Sequence, residues 1–368
     1  METDKVMKTD RQWLIYGANG YTGKLIAQSA AASGLKPILA GRTDNQVRPL
    51  AEQLNLDYRI FSIEDLINDD TVIKDIDLVL NCAGPFSQTA DPMMAACIKH
   101  HCHYLDITGE VAVFETAASR HQEASLAGVV LCPGVGFDVI PTDCMAAMLK
   151  AQMPDASHLS LGFDSRSGFS PGTAKTSVEA LPEGGRVRVD GLIKQVPLAY
   201  KTRRIDFGGG EKLAMTIPWG DVATAYYSTE IPNIEVYIPA SPRLVKRMQR
   251  INLIKPILGW SWLQKFMKSR IEKTVKGPDE QARNELTTFI WGEVSNAQGE
   301  RLQNRMQVAN GYQLTVDGSL HVVQALLADE NVIGGYYTPS KLLGADLIQQ
   351  LPGTQLLSEV KRDTHFSK

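Results

Sequence analysis

Four apolar or aromatic residues, Trp13-Leu14-Ile15-Tyr16, run into Gly17, and apolar positions then recur at helical spacing through Leu25, Ile26, Ala27, Ala30 and Ala31. That pattern predicts a strand, a tight turn and a helix. The alternation continues down the chain. Short buried strands are predicted at Pro37–Ala40, Tyr58–Phe61, Asp77–Leu80, His103–Asp106 and Val129–Leu131. Helices are predicted between them at Asn45–Leu54, from Ser62, at Pro92–His101 and at Val111–Ala127. Strands alternating with helices indicate an α/β fold, a doubly wound parallel sheet of the Rossmann type. Ligands of such sheets sit beyond the carboxyl ends of the strands. Arg42, Asn81–Phe86 and Thr108–Glu110 fall at those ends.

The pattern changes near Cys132-Pro-Gly-Val-Gly-Phe-Asp-Val-Ile-Pro141. Asp143–Lys150 still reads as helix. From Leu159 onward, segments such as Leu159–Phe163 and Gly185–Val189 are bounded by Gly and Pro. Thr287–Val294 and Glu300–Val308 alternate around an Asn296–Gly299 turn, which predicts a hairpin. The expected organisation is a Rossmann domain over 1–139 and an α+β domain rich in antiparallel strands over 140–335. The second domain is where a substrate site or a homodimer contact is expected. Residues 336–368 form a C-terminal segment whose helical piece, Ser340–Leu351, is expected to pack back on the first domain.

The first turn carries glycines spaced G-x-x-G-x-x-G at Gly17, Gly20 and Gly23. Gly17 suits dihedrals that a Cβ would forbid. Gly20 allows the backbone close to a pyrophosphate, and Gly23 allows close helix–strand packing. The helix start aims N–H groups and its positive dipole end at phosphates. Gly17, Ala18, Asn19, Gly20, Tyr21, Thr22 and Gly23 are therefore the expected dinucleotide cradle. The predicted second strand ends in Gly41-Arg42-Thr43. A planar guanidinium matches a 2′-phosphate and stacks on adenine, so Arg42 favours NADP(H) over NAD(H), while Asp44 keeps NAD open. The loop after the fourth strand adds Asn81, Ala83, Gly84 and Pro85 as cofactor contacts, and the loop after the fifth adds Thr108 and Gly109.

Composition narrows the classes. The chain has 368 residues, 43% hydrophobic and 21% charged, enough for a large core in about two domains. A net charge of −3 gives no reason to expect a nucleic-acid partner. The polar start, Met1–Asp10, has no apolar signal core, and no long uncharged apolar stretch predicts a spanning helix. Five cysteines, Cys82, Cys97, Cys102, Cys132 and Cys144, are expected as reduced thiols of a cytoplasmic protein. Cys97, His100, His101, Cys102 and His103 straddle a helix end and a strand start, so no metal site is expected there. The one Tyr-x-x-x-Lys match, Tyr337–Lys341, contains Pro339 and cannot present a helical pair. Lys246–Lys276 carries nine basic residues and one acid, interleaved with apolar residues such as Leu253, Ile254, Trp260, Trp262 and Phe266. It reads either as surface helices over the second domain or as a basic amphipathic segment on the inner face of an anionic membrane.

Reduction by a dinucleotide needs a hydride source, an oriented acceptor and a proton donor. Tyr104, Asp106 and Asp138 lie near predicted strand ends and are the catalytic candidates. Each also has a structural role open to it: Tyr104 buried, Asp106 holding the Thr108 loop, Asp138 capping the helix near Pro141.

Several motifs occur together and in order: Gly17–Gly23, Ala40-Gly-Arg42, Asn81–Phe86, Tyr104–Glu110 and Gly134–Asp143, then Gly172-Thr-Ala, Gly277-Pro and Thr338-Pro. The set resembles the saccharopine dehydrogenase-like oxidoreductases, most of all the branch that includes the trans-acting enoyl reductases. The resemblance implies an NAD(P)-binding Rossmann domain, an α+β partner domain and an oxidoreductase. With the apolar basic segment, it implies an apolar enoyl or acyl, lipid- or polyketide-type, small-molecule substrate. An amino-acid imine dehydrogenase of the saccharopine kind and a non-catalytic NADPH sensor acting through a protein partner remain open.

Overall fold

The computed structural model describes residues 11–165, 178, 181–254, 258–274, 286–357 and 361–363. By contacts the chain divides into two units. The first comprises Met1–Thr108, Glu115–Val135 and Thr315–Tyr337; the second comprises Gly109–Phe114, Gly136–Leu314 and Thr338–Lys368. The motifs at Gly172 and Gly277 lie outside the described residues, as does Met1–Asp10.

The first unit is built on a seven-stranded sheet. Its strands are β1 (Trp13–Tyr16), β2 (Ile38–Gly41), β3 (Tyr58–Ile60), β4 (Leu78–Asn81), β5 (His103–Asp106), β6 (Val130–Cys132) and β15 (Gly335–Tyr336). They lie in the order β15-β6-β5-β4-β1-β2-β3, and every pairing is parallel. All residues of β1, β2, β4 and β6 are buried, which is why these strands read as continuous apolar runs. The chain runs one way from β1 through β2 to β3, then restarts on the other side with β4. The order therefore reverses between β1 and β4, where such sheets bind ligands.

Helices fill the crossovers, among them α1 (Tyr21–Ala32), α2 (Asp44–Leu54) and α3 (Ile63–Asn68). Ser62 and Asp65 form a reciprocal capping box at the start of α3, as Ser62 suggested. Helix α4 spans Phe86–Lys99, so it starts before Pro92 and contains that proline inside. The predicted helix over Val111–Ala127 is two: α5 (Val111–Ser119) and α6 (His121–Ala127). Between them Arg120 bonds Asp91 at 2.7 Å and Glu123 at 2.9 Å.

The sequence boundaries at 139/140 and 335/336 are both displaced. Residues Thr315–Tyr337 join the first unit because Gly335 and Tyr336 pair with Val130 and Leu131 as the seventh strand. A two-residue strand shows no periodicity, so the sequence pattern missed it. Arg11 reinforces this return by donating to the Leu326 and Asp329 carbonyls.

The second unit holds a mostly antiparallel sheet in the order β10-β11-β12-β7-β13-β14-β16, the last strand being Gln355–Leu356. Its long strands are β7 (His158–Ser165), β12 (Asn233–Pro239), β13 (Thr288–Ser295) and β14 (Arg301–Val308). The predicted hairpin is present, with Thr288 opposite Val308 and Ser295 opposite Arg301. The β12–β7 pair is parallel. Helix α7 (Ile140–Gln152) packs on one face, where Gly292 leaves room for the Leu149 and Met145 side chains. The hairpin of β10 (Thr202–Asp206) and β11 (Glu211–Thr216) brings Ile205 and Phe207 against Tyr237 and Trp291. The predicted Ser340–Leu351 helix is two short helices, Pro339–Leu343 and Leu347–Gln350, interrupted at Gly344 with φ +91°. They pack against α7 in the second unit instead of returning to the first.

A Cβ on Gly162 would lie 2.7 Å from the Tyr237 carbonyl oxygen and 3.0 Å from the Phe207 ring. Gly162→Ala is therefore expected to lower stability by about 1–3 kcal/mol, read as a lower urea midpoint at unchanged slope.

Candidate dinucleotide site and buried carboxyl cluster

The glycine turn occupies the switch point because β1 delivers it there. Gly17 and Ala18 both donate to the Ala40 carbonyl, so the turn is fastened to β2 as it leaves β1. Gly17 sits at φ +79°, and a Cβ there would meet the backbone nitrogen of Ala83 at 2.8 Å. Gly23 would carry a Cβ 2.4 Å from the Gly17 carbonyl oxygen, which fixes how closely α1 approaches β1. Gly20 is the N-cap of α1 in extended conformation and supplies no side-chain cap. A helix start whose N–H groups take no side-chain cap is suited to cradle a phosphate. Asn19 leans sideways, its amide donating to Gln46 at 2.7 Å.

Arg42 is exposed where β2 ends and makes no ion pair among the described residues. Burial pushes the Tyr16 phenol, at the end of β1, up to about 12, and the Arg42 charge opposes that rise. Asp44, the competing acid, is held by Arg48 at 2.9 Å.

Asn81 is fully buried and its side chain shapes the loop from below. Its oxygen accepts from the Ala83 N–H at 3.0 Å, and its amide donates to Thr89 at 3.1 Å and to the Tyr104 hydroxyl at 3.3 Å. Ala83 and Pro85 are half-buried and Gly84 is exposed, so the loop surface is these small residues and not the asparagine. Tyr104 donates to Asp106 Oδ2 at 2.7 Å, and Oδ1 of Asp106 accepts from the N–H groups of Thr108 and Gly134, each at 2.9 Å. Tyr104 and Asp106 are 0% exposed. Burial and the Asp106 charge push the Tyr104 phenol well above its usual value. Both residues thus have the structural role that the sequence left open for them, tying β4, β5 and the start of the Gly134 loop together.

Asp138 differs. It does not cap α7, whose N-cap is Val139 with no side-chain hydrogen bond. It is half-buried, and no described group donates a hydrogen bond to its carboxylate, while its carbonyl accepts from the Trp219 indole at 2.9 Å. Burial alone pushes its carboxyl up to about 7. Gly109 makes the space for it: a Cβ there would sit 2.8 Å from Oδ2. Two further acids of the same unit, Asp143 and Asp221, are wholly shut off from solvent. Asp143 is 0% exposed and accepts from Ser228 and, at 2.8 Å, from the Ser340 N–H. Burial raises its pKa, and those bonds oppose the rise. Asp221, also 0% exposed, begins the helix Asp221–Thr229. Burial, with the Asp143 and Asp138 charges adding to it, lifts its pKa well above the ordinary value. Trp219 and Asp221 belong to this cluster by folding alone, and no spacing in the sequence linked them to Asp138.

The three histidines of the cysteine and histidine group take separate partners, while the Cys102 thiol lies against Cys97. His100 pairs with Asp70 at 2.9 Å, the His101 ring contacts the Ala127 carbonyl at 2.9 Å, and His103 Nδ1 accepts from the Val130 N–H at 3.0 Å. All five cysteines are free.

A parallel sheet with this glycine turn at its switch point defines a dinucleotide-binding domain of the Rossmann class. In sequence, residues 13–132 match the family model for the saccharopine dehydrogenase NADP binding domain. The chain is 28% identical over 160 residues to the mouse saccharopine dehydrogenase-like oxidoreductase. It is 33% identical over 147 residues to a probable mitochondrial saccharopine dehydrogenase-like oxidoreductase of Arabidopsis thaliana. It is 30% identical over 138 residues to the trans-acting enoyl reductase of Mycobacterium bovis. These alignments cover 38%, 35% and 35% of this chain and 37%, 32% and 33% of the relatives. The match thus spans only about a third of each relative's length. Two solved structures share the fold across nearly the whole chain. Saccharopine dehydrogenase (L-Glu forming) from Saccharomyces cerevisiae has a TM-score of 0.61 at 11% identity, covering 96% of this chain and 100% of its own. Homospermidine synthase from Legionella pneumophila, solved with NAD, has a TM-score of 0.59 at 10% identity, covering 96% and 91%. The resemblance drawn from the motifs is matched by the family model over residues 13–132 and by the relatives over about a third of the chain, and the solved structures share the fold.

Asp138 holds its proton in the folded chain over a pH range in which the unfolded chain has lost it. Stability attributable to Asp138 therefore falls as pH rises from the usual carboxylate range to about 7, and levels off above. Asp138→Asn is expected to flatten that part of the stability–pH profile, measured by chemical denaturation at a series of pH values.

Proposed function

We propose that this chain is an NADPH-dependent oxidoreductase that reduces an apolar enoyl or acyl substrate, with Asp138 as the proton donor. The observation that carries the cofactor choice is the pair of charges after β2: Arg42 is exposed and unpaired, whereas Asp44 is engaged by Arg48. A free guanidinium attracts a 2′-phosphate, and an acid already paired to arginine is a poorer partner for a ribose diol. The glycine turn fits the rest of the group, since no side chain caps the start of its helix and Gly17 lets the turn pass close to the Ala83 loop. Ala83, Gly84, Pro85, Thr108 and Gly109 are proposed to line the nicotinamide end.

Bound there, a reduced nicotinamide supplies a hydride. The chain itself must orient the acceptor and provide a proton. Asp138 suits that task because a carboxyl lifted to about 7 is still about half protonated at neutral pH and gives the proton up easily. For an enoyl substrate the proton goes to the carbon next to the carbonyl, balancing hydride addition one carbon further on. The name of the mycobacterial relative, trans-acting enoyl reductase, supports the enoyl class.

Titration calorimetry with NADPH and NADH is expected to favour NADPH, and Arg42→Ala to weaken NADPH by about tenfold to a hundredfold with NADH little changed. Equal binding of both nucleotides by the parent chain would refute the role of Arg42. In an NADPH-oxidation screen, enoyl thioesters are the expected substrates. Turnover of amino-acid imines alone would restore the amino-acid reading, and binding without any turnover would favour a sensor. Asp138→Asn is expected to lower kcat by about a hundredfold or more. The fall of the parent's rate as pH rises through about 7 should vanish with it.

A further inference from the structure

The dinucleotide reading leaves the Lys246–Lys276 stretch unused. Its first helix, Pro242–Ile251, is anchored by one face only: Val245, with Leu244 and Met248 beside it, packs into a cluster with Ala199, Met215 and Ala240. The other face is basic, with Arg243, Lys246, Arg247 and Arg250 all exposed. The helix contains no acidic residue. Directly after it Leu253 is 83% exposed. The next helix, Ser261–Thr274, brings a second apolar group to the surface: Trp260, Trp262 and Phe266 are each more than half exposed. Trp262 and Phe266 stand one helical turn apart and so share a face, and the Trp260 and Trp262 rings lie 6.3 Å apart. Lys265 is exposed beside them.

We infer that this stretch docks the protein on an anionic lipid surface. Exposed large apolar groups in a cluster need a partner. Three observations select a membrane. The charge is nine basic residues against one acid, complementary to acidic headgroups, and lies in the same run of chain as the apolar residues. The aromatic pair is tryptophan, whose ring suits the headgroup level. No described helix is long and apolar enough to cross a membrane, so the attachment is interfacial. Arginine and lysine side chains reach to phosphates while Leu253, Trp260, Trp262 and Phe266 enter the acyl boundary. The inference is independent of the reductase reading, because it concerns where the chain sits and not what it turns over.

The test is co-flotation of the full chain with vesicles of phosphatidylcholine alone or of phosphatidylcholine with phosphatidylserine. Binding is expected only with phosphatidylserine, and it should weaken as salt rises. Tryptophan emission should shift to the blue and be quenched by nitroxide-labelled lipid. Replacing Trp260, Trp262 and Phe266 together by Ala should weaken binding by about tenfold or more. Lys246→Glu with Arg247→Glu and Arg250→Glu should abolish the dependence on phosphatidylserine. All these side chains are exposed, so thermal unfolding and NADPH affinity should stay as in the parent. No flotation and no lipid quenching of the parent chain would overturn the inference. So would self-association through the same aromatics, seen by sedimentation, without vesicle binding.

Discussion

Asp106 stands where β5 ends, and its carboxylate gathers the chain around it. One oxygen takes the Thr108 and Gly134 N–H groups, and the other takes the Tyr104 phenol, which in turn receives the Asn81 amide. The Asp106 carbonyl accepts from Val135 as well. A fully buried carboxylate is tolerable only when its oxygens are satisfied in this way. The loops that leave β4, β5 and β6 are therefore set by one polar knot, and losing one partner would leave the others without theirs in a dry interior. The nicotinamide-side loops inherit their shape from it.

The parallel sheet was legible because its strands are buried on both faces and its turns are written in glycine. The same reasoning found the β13–β14 hairpin through strict alternation. It failed where the signal is tertiary. The β15 strand is too short to carry a period, and it exists because Gly335 and Tyr336 find the open edge of β6. Helix α4 begins at Phe86 although Pro92 suggested a later start, since its other residues supply the helical pattern that the proline interrupts. The boundary between the units was misplaced for the same reason, because the chain returns to the first sheet after most of the second unit has been made.

Candidate chemistry divides along similar lines. Positions near strand ends drew attention to Tyr104, Asp106 and Asp138 alike, since sequence gives place and not environment. The hydrogen bonds separate them: two are bonded and buried, and the third has a carboxyl with no donor among the described residues. What sets Asp138 apart is contributed by Gly109 and Trp219, from distant parts of the chain. Asp221 entered the cluster in the same way, through the packing of its helix on α7.

The contact between Gly17 and Ala83 bears on how this chain can vary. A Cβ added at 17 would stand 2.8 Å from the Ala83 nitrogen and 2.9 Å from its α-carbon, so position 17 cannot grow while the loop after β4 stays put. The glycine is thus required by the protein's own backbone and not only by a ligand. Drift at position 17 is limited by that neighbouring loop before it is limited by any diphosphate.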